Sequence, residues 1–492
     1  MTHQEDPSAI PGHFLETARR TFAKWLGPKY DLRVLDAVLC TAAAQRLGGD
    51  PCWLLVVGGP GAAKTETIMG LYSDRRGVVM VSTITGEAAL LSGTSEKDRA
   101  PDASGGLLRK VGDRGLMIIK DVTTIISMSR ESRAQVLAAL REIYDGKWNR
   151  EVGTEGGRTL SWEGNLVVIG AVTTAWDAAH AVISSMGDRF VLIRIDSTEN
   201  RREAGLQALR NVSHEKQMRA ELAEAVQAAV NAVPEDAPIT LTHEEMSALL
   251  DLADIVTLAR TAVERDFQGN VVQAHAPEMP TRFLKQLGQI MRGGIALGMS
   301  RAEALDVAIR CAGDSMPPLR LAILGDVLEH PKTLYGETAN RLQLPRKSVD
   351  RVMQELHLLN VLEAVPEAYG QGERWRYHIA SGIDTDALAK LARNGGPSSQ
   401  GDGKPAEKMA RNGGGVSPGP DAKLARNGGT PAQESPSEPV ESDLVKPDKP
   451  ARRKCEAPGC RKSIPKTARA DARFCSPTCR KRTHRNKPKE TP

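Results

Sequence analysis

The stretch Leu54-Leu-Val-Val-Gly-Gly-Pro-Gly-Ala-Ala-Lys-Thr65 reads as a buried strand running straight into a phosphate-binding loop. Four apolar residues, Leu54 to Val57, suit a parallel strand covered on both faces. The turn from Gly58 to Gly61 lets backbone N–H groups curl around an anion, with no Cβ to block close approach. The spacing fits G-x-x-x-x-G-K-[ST], with Ala63 in place of the second glycine. The candidate nucleotide-binding residues are Gly58, Gly59, Pro60, Gly61, Ala62, Ala63, Lys64 and Thr65. Lys64 reaches toward the β- and γ-phosphates, and the Thr65 hydroxyl suits Mg²⁺. A helix starting near Thr65 points its positive end at the same anion. ATP and Mg²⁺ are therefore the expected ligands, and the extra methyl of Ala63 is expected to lower affinity.

Outward from the loop, strands and helices alternate. Val78–Ser82, Gly115–Asp121, Asn165–Thr174 and Phe190–Ile195 read as further strands, and Glu131–Tyr144 as a helix. This order predicts an α/β fold with a parallel sheet and ligands at the C-terminal ends of its strands.

The chain has 492 residues, 40% hydrophobic but only 4% aromatic, so a core of Leu, Val, Ile and Ala is expected. No early segment pairs a basic start with an apolar run, and no run approaches the roughly 20 apolar residues of a membrane span. A cytoplasmic chain with no membrane partner is the expectation. The net charge of +5 is unevenly spread. Residues 451–492 hold fourteen Lys and Arg against three acids, and the remainder 52 against 58. A basic tail on a slightly acidic body points to a nucleic-acid partner.

Three stretches resemble the AAA+ ATPases, over about residues 15–315. The nearest branch is that of the mini-chromosome-maintenance helicases, magnesium chelatase and the bacterial enhancer-binding activators. The first stretch is Ser104-Gly-Gly-Leu-Leu-Arg-Lys-Val-Gly-Asp-Arg-Gly115, which leads into the acidic strand. The second is Leu140-Arg-Glu-Ile-Tyr-Asp-Gly-Lys-Trp-Asn-Arg-Glu-Val-Gly153, similar to a helix followed by that branch's β-hairpin. The third is the strand ending in Thr173-Thr174. The resemblance implies an oligomeric ring that hydrolyses ATP. It implies that Thr173 or Thr174 senses the γ-phosphate. Arg189 would be an arginine finger serving a neighbouring subunit, and Arg282, in Met279-Pro-Thr-Arg-Phe-Leu284, a second sensor on a helical lid. The family's third strand ends Asp-Glu, whereas Lys120 and Asp121 stand here. Two assignments stay open. Either Asp121 serves Mg²⁺ and the base lies elsewhere, which is preferred, or Asp121 orients water and Thr65 holds the metal with solvent. Glu66 and Glu142 are weaker candidates for the base.

Residues 316–380 look like a winged helix-turn-helix, with helices at Leu319–Leu328 and Thr333–Leu342 and a third from Pro345 to about Leu358. Strands at Leu362–Val365 and Trp375–Ile379 flank a Gly-rich turn. Arg346, Lys347, Ser348 and Arg351 are the candidate DNA contacts, on a face diluted by Asp350 and Glu355. Residues 381–450 are rich in Gly, Pro, Ser, Asp and Lys and are expected to be a disordered linker. It carries three near-repeats beginning at Lys390, Lys408 and Lys423. In the tail, Cys455, Cys460, Cys475 and Cys479 form two close pairs suited to one Zn²⁺. Arg480, Lys481, Arg482 and Arg485 follow as further nucleic-acid contacts. The expected domains are a helical segment (1–45), the ATPase core (46–200), the lid (201–315), the winged helix (316–380), the linker (381–450) and the zinc tail (451–492).

The leading expectation is an ATP-driven, DNA-acting ring, helicase-like or remodelling, in the replication of a mobile or phage-like element. A transcription regulator and a nucleotide-gated DNA-binding protein with little hydrolysis are the alternatives.

Overall fold

Strand β1 (Trp53–Gly58) is apolar along its length because both of its faces are covered. Leu54 and Val56 enter one core, and Trp53, Leu55 and Val57 enter the other. The computed structural model describes residues 11–94, 104–153, 157–177, 189–370 and 372–394, with Cys455 and Cys460. Residues 11–394 belong to one compact unit and the two cysteines to a second.

Helices α1 (Pro11–Leu26) and α2 (Leu32–Ala44) precede β1. After it come α3 (Lys64–Met69), β2 (Val78–Val81), α4 (Glu87–Leu90), α5 (Leu107–Val111), β3 (Arg114–Ile119), α6 (Thr123–Ile126) and α7 (Arg130–Tyr144). A hairpin, β4 (Lys147–Val152) with β5 (Arg158–Glu163), leads to β6 (Asn165–Val172) and β7 (Val191–Ile195). The five-stranded sheet has the order β2-β3-β6-β1-β7, and every pairing in it is parallel. The expected strands and the hairpin are thus present, with the third strand ending at Ile119 rather than Asp121. One face packs on α1, α2 and the later helices, and the other on α5 to α7 and the β4–β5 hairpin.

Helices α8 (Arg201–Asn211), α9 (Glu215–Asn231) and α10 (His243–Ala259) follow β7. A small hairpin, β8 (Val263–Arg265) with β9 (Val271–Ala274), precedes α11 (Thr281–Ala296) and α12 (Arg301–Asp314). Thr242 and Ser300 start α10 and α12 with reciprocal capping boxes, which satisfy backbone donors at both helix starts. Helix α11 lies close on α2: a Cβ on Gly293 would stand 2.0 Å from the Cys40 carbonyl oxygen. Any side chain there would force the two helices apart.

After α12 come α13 (Pro318–Glu329), β10 (Thr333–Leu334), α14 (Tyr335–Arg341), α15 (Arg346–Leu358), β11 (Leu362–Tyr369) and β12 (Gly372–Ile379). Their strands form a sheet of order β10-β12-β11, paired antiparallel. The chain then departs from expectation. Residues 385–394, read as linker, form α16 (Thr385–Asn394), which takes in Lys390 to Asn394 of the first near-repeat. Ala387, Leu388 and Leu391 give it a buried face, and the Asp384 carboxylate accepts from the Ala387 N–H at 2.7 Å. An apolar stripe of three residues plus one cap is enough to dock so short a helix on a preformed surface. Residues 395–450, which hold the other two repeats, lie outside the described residues. Among the described residues no helix is long and apolar enough to cross a membrane.

Candidate functional site

The loop expected to hold phosphate sits at the C-terminal end of β1, which lies between β6 and the edge strand β7. Gly59 has no room for a side chain, since a Cβ would stand 2.7 Å from the Ser197 Oγ that follows β7. Gly61 adopts φ +77° and Ala63 φ +57°, both left-handed. That explains the second glycine of the pattern: the position needs a left-handed backbone, which costs a non-glycine residue roughly 1–2 kcal/mol. Ala63→Gly is therefore expected to raise the unfolding midpoint and tighten nucleotide binding, both read in one thermal-shift titration. A midpoint that falls would contradict the strained loop.

Lys64 donates from Nζ to the Gly59 carbonyl at 2.6 Å, folding across the loop where a phosphate would lie. Burial lowers its basicity, and the nearby Asp121 carboxylate opposes this. So the structure brings Lys64 and Asp121 together, although they are 57 residues apart. Asp121 is exposed just beyond β3, with Oδ1 accepting from the Thr123 N–H at 2.9 Å. Thr173 stands beside it at the end of β6: its N–H donates to Thr123 Oγ1 at 3.3 Å. Thr174 is exposed next to it, and Thr65 is half-buried in the first turn of α3. Lys64, Thr65, Asp121 and Thr173 thus converge at one end of the sheet. A loop of backbone donors with a lysine, a hydroxyl and a carboxylate fits a nucleotide phosphate with its Mg²⁺.

Neither weaker base candidate is poised there. Arg219 of α9 grips both oxygens of Glu66 at 2.8–3.1 Å. Glu142 is exposed on α7.

Arg189 and Arg282 are elsewhere. Arg189 precedes β7, whose first residue, Val191, pairs with Leu54 near the start of β1. The five steps from Trp53 to Gly58, at about 3.3 Å each, separate that edge from the loop by roughly 16 Å. Arg282 belongs to the first turn of α11, and that helix packs on the residues leading into β1. There Gln286 Oε1 accepts from the Trp53 N–H at 3.0 Å, and Lys285 pairs with Asp50 at 2.7 Å. The two arginines meet over the Tyr144 ring, at 5.7 and 6.0 Å from its centre. Asp145 accepts from Arg189 Nη2 at 3.2 Å, and Glu278 from Arg282 Nη1 at 3.2 Å. Burial, and then the charge of Arg282, lowers the basicity of Arg189 against the pull of Asp145. Arg282, expected among the catalytic residues, is therefore not beside its own chain's loop. Tyr144 and Asp145 carry this arrangement. Both lie in the quoted helix–hairpin stretch, but nothing in their spacing marks them as a platform for arginines 45 and 138 residues away.

Of the expected DNA contacts, Arg346 and Lys347 are exposed at the start of α15, and Ser348 is half-buried. Arg351 donates from Nη2 to the Gln268 carbonyl at 3.0 Å, tying it to the tip of the β8–β9 hairpin. Glu355, expected to dilute the basic face, is buried and is held by Arg320 at 2.9 Å and by Arg265. The sign of a helix face changes when a residue on it turns inward, and periodicity alone did not fix the turn. Cys455 is buried and Cys460 half-buried. Cys475, Cys479, Arg480, Lys481, Arg482 and Arg485 lie outside the described residues. Among the described residues no group of three or more His, Cys, Asp or Glu is placed to hold a metal.

No protein-family model matches the chain, and no curated protein does. Similar solved structures include a full-length MCM homolog from Methanopyrus kandleri, at 15% identity and TM-score 0.37. That match covers 65% of this chain and 63% of the other, so the chain spans less than two thirds of that homolog's length. NtrX from Brucella abortus, in complex with ATP, is similar at 15% identity and TM-score 0.25, over 66% of this chain and 67% of that one. The Aeropyrum pernix ORC1 protein, in complex with DNA, is similar at 14% identity and TM-score 0.21, over 73% and 90%. At such scores the likeness assigns no role.

Proposed function

We propose that this chain is an AAA+ ATPase whose active site is completed by a second copy of itself, and that it acts on DNA. One observation carries the reading. The phosphate loop with Lys64 and Asp121 occupies one end of the sheet, and the Arg189–Arg282 pair the other. An arginine that stabilises a developing phosphoryl charge must touch the nucleotide. Arg189 and Arg282 are too far from their own loop, so they serve a neighbour's, and hydrolysis depends on a closed ring. Helix α8 supports this, because it exposes Leu206 and Leu209, with Val212 just after it, to solvent, apolar surface that an adjoining copy would cover.

In this reading Lys64 binds the β- and γ-phosphates, Thr65 and Asp121 hold Mg²⁺, and Thr173 senses the γ-phosphate. Mg²⁺ would neutralise charge on the phosphates. The unit from α13 to β12 acts as a winged helix. Arg346 and Lys347 are its open DNA contacts, while Arg351 serves chiefly to fix α15 to the lid. The four tail cysteines bind one Zn²⁺ and present Arg480, Lys481, Arg482 and Arg485 to nucleic acid. The work driven is helicase-like or remodelling, in the replication of a mobile or phage-like element.

The test is ATP hydrolysis by the full chain, with and without single- and double-stranded DNA, beside Lys64→Ala and Asp121→Asn. Turnover that rises with DNA and vanishes in both variants is expected, with one zinc per chain in the same preparation by elemental analysis. ATP binding without turnover would replace the motor with a nucleotide-gated DNA-binding protein.

A further inference from the structure

At the N-terminal end of the sheet, away from the phosphate loop, lies a recess of about 200 Å³. Four arginines from three separate stretches line it: Arg46 after α2, Arg75 and Arg76 before β2, and Arg114 at the start of β3. Two of them are fixed in place by backbone carbonyls. Arg46 Nε donates to the Val233 carbonyl at 2.7 Å, and Arg114 Nε to the Gln45 carbonyl at 2.9 Å. Arg75 bonds the Asn231 side chain. Among the described residues, two carboxylates form ion pairs with these arginines. Glu235 lies 3.4 Å from Arg46, Asp236 lies 3.0 Å from Arg114, and both are largely exposed on the rim. One donor of the cluster, Arg114 Nη2, is enclosed and has no hydrogen-bond partner. Burial lowers the basicity of Arg46, and the like charges of Arg75 and Arg114 lower it further against the pull of Glu235.

Converging guanidiniums repel one another and are costly to desolvate, so such a cluster is stabilised by an anion. Guanidinium forks match tetrahedral oxyanions in geometry as well as charge. The Ser73 hydroxyl and the Asn231 and Gln227 amides add neutral polar groups to the wall.

We infer that this recess is a second phosphate site, which takes inorganic phosphate or the terminal phosphate of a small phosphomonoester. The juxtaposition of four arginines around a concave, partly enclosed space carries it, independently of what the nucleotide loop does. The recess is too small to admit a nucleic-acid strand. Its occupant would tie α2, the loop before β2 and the α9–α10 connection to one charge, and so stiffen the base of the sheet.

The test is calorimetric titration of the full chain, its loop saturated with Mg-ADP, using inorganic phosphate and, separately, glucose 6-phosphate. Saturable binding of one ion per chain is expected, weakened at least tenfold in the double variant Arg75→Gln/Arg76→Gln. Both side chains are exposed, and neutralising them relieves repulsion in the cluster, so the ligand-free melting temperature of the variant should not fall. Phosphate alone binding identifies the free anion; glucose 6-phosphate binding more tightly identifies an esterified one. Should the double variant unfold, Ser73→Glu places a carboxylate in the same wall, and it too should abolish binding. No saturable heat from either anion, or equal binding by wild type and variants, would overturn the inference.

Discussion

Arg189→Ala is expected to lower ATP turnover by about 10³–10⁵-fold while leaving ATP affinity within about threefold of wild type. The two halves of this result come from the same geometry. Arg189 stands at the edge of the sheet where β7 begins, roughly 16 Å of strand away from the loop proposed to bind ATP in its own chain. Its removal takes no contact from that loop, so binding survives. If a neighbour brings Arg189 to the γ-phosphate, its removal takes away charge that matters only as the phosphoryl group leaves. Arg282→Ala is expected to fall in the same direction, because the two guanidiniums share the Tyr144 ring. Equilibrium binding of a fluorescent ATP analogue beside steady-state hydrolysis separates the two effects. Loss of affinity in step with turnover would place Arg189 at its own loop, against the arrangement described.

Asp314→Ala is expected to cost about 3–5 kcal/mol of stability, the range for breaking a buried, hydrogen-bonded ion pair. Arg310 is fully buried in α12 and lies between two carboxylates, Asp314 Oδ2 at 2.7 Å and Asp31 Oδ2 at 3.1 Å. Burial works against its charge, and these two carboxylates more than restore it. Its third bond goes to the Arg194 carbonyl at 2.7 Å, and Asp314 also accepts from the Arg194 N–H at 2.7 Å. Arg194 is itself clamped by Asp177 through two bonds of 2.7 and 3.0 Å. This network joins α12, strand β7 and the start of α2. Removing Asp314 leaves two buried donors without their acceptor, Arg310 Nε and the Arg194 N–H, while Asp31 and the Arg194 carbonyl still hold the other guanidinium nitrogens. Urea denaturation of the two proteins measures the loss. A shift worth less than about 1 kcal/mol would mean that water or a rearranged side chain relieves Arg310.

What the sequence disclosed and what it hid divide along sequence separation. The phosphate loop was legible because all of its parts lie within eight residues, and its one departure, Ala63, proved to occupy the left-handed position that the pattern reserves for glycine. The strands were legible as short apolar runs, and the β4–β5 hairpin through its place after a helix. Contacts across long separations left no local trace. Arg282 was assigned to a lid but not to a side of the sheet, and the side is set by α11 packing closely along α2. Glu355 read as a surface acid because its partners, Arg320 and Arg265, lie 35 and 90 residues away. Helix α16 escaped notice because its apolar stripe is three residues long and is followed by linker composition. The arginine recess was invisible for the same reason, since no two of its three contributing stretches are neighbours in the chain.

Sharing of one active site between two copies is tested directly by mixing. Lys64→Ala and Arg189→Ala proteins, each inactive alone, are combined in equal amounts and assayed for ATP hydrolysis. Hydrolysis that reappears in the mixture is the expected result, because some loops with an intact Lys64 then face an intact Arg189 from a neighbour. A mixture as inactive as its two components, with assembly of the copies verified by light scattering, would contradict it.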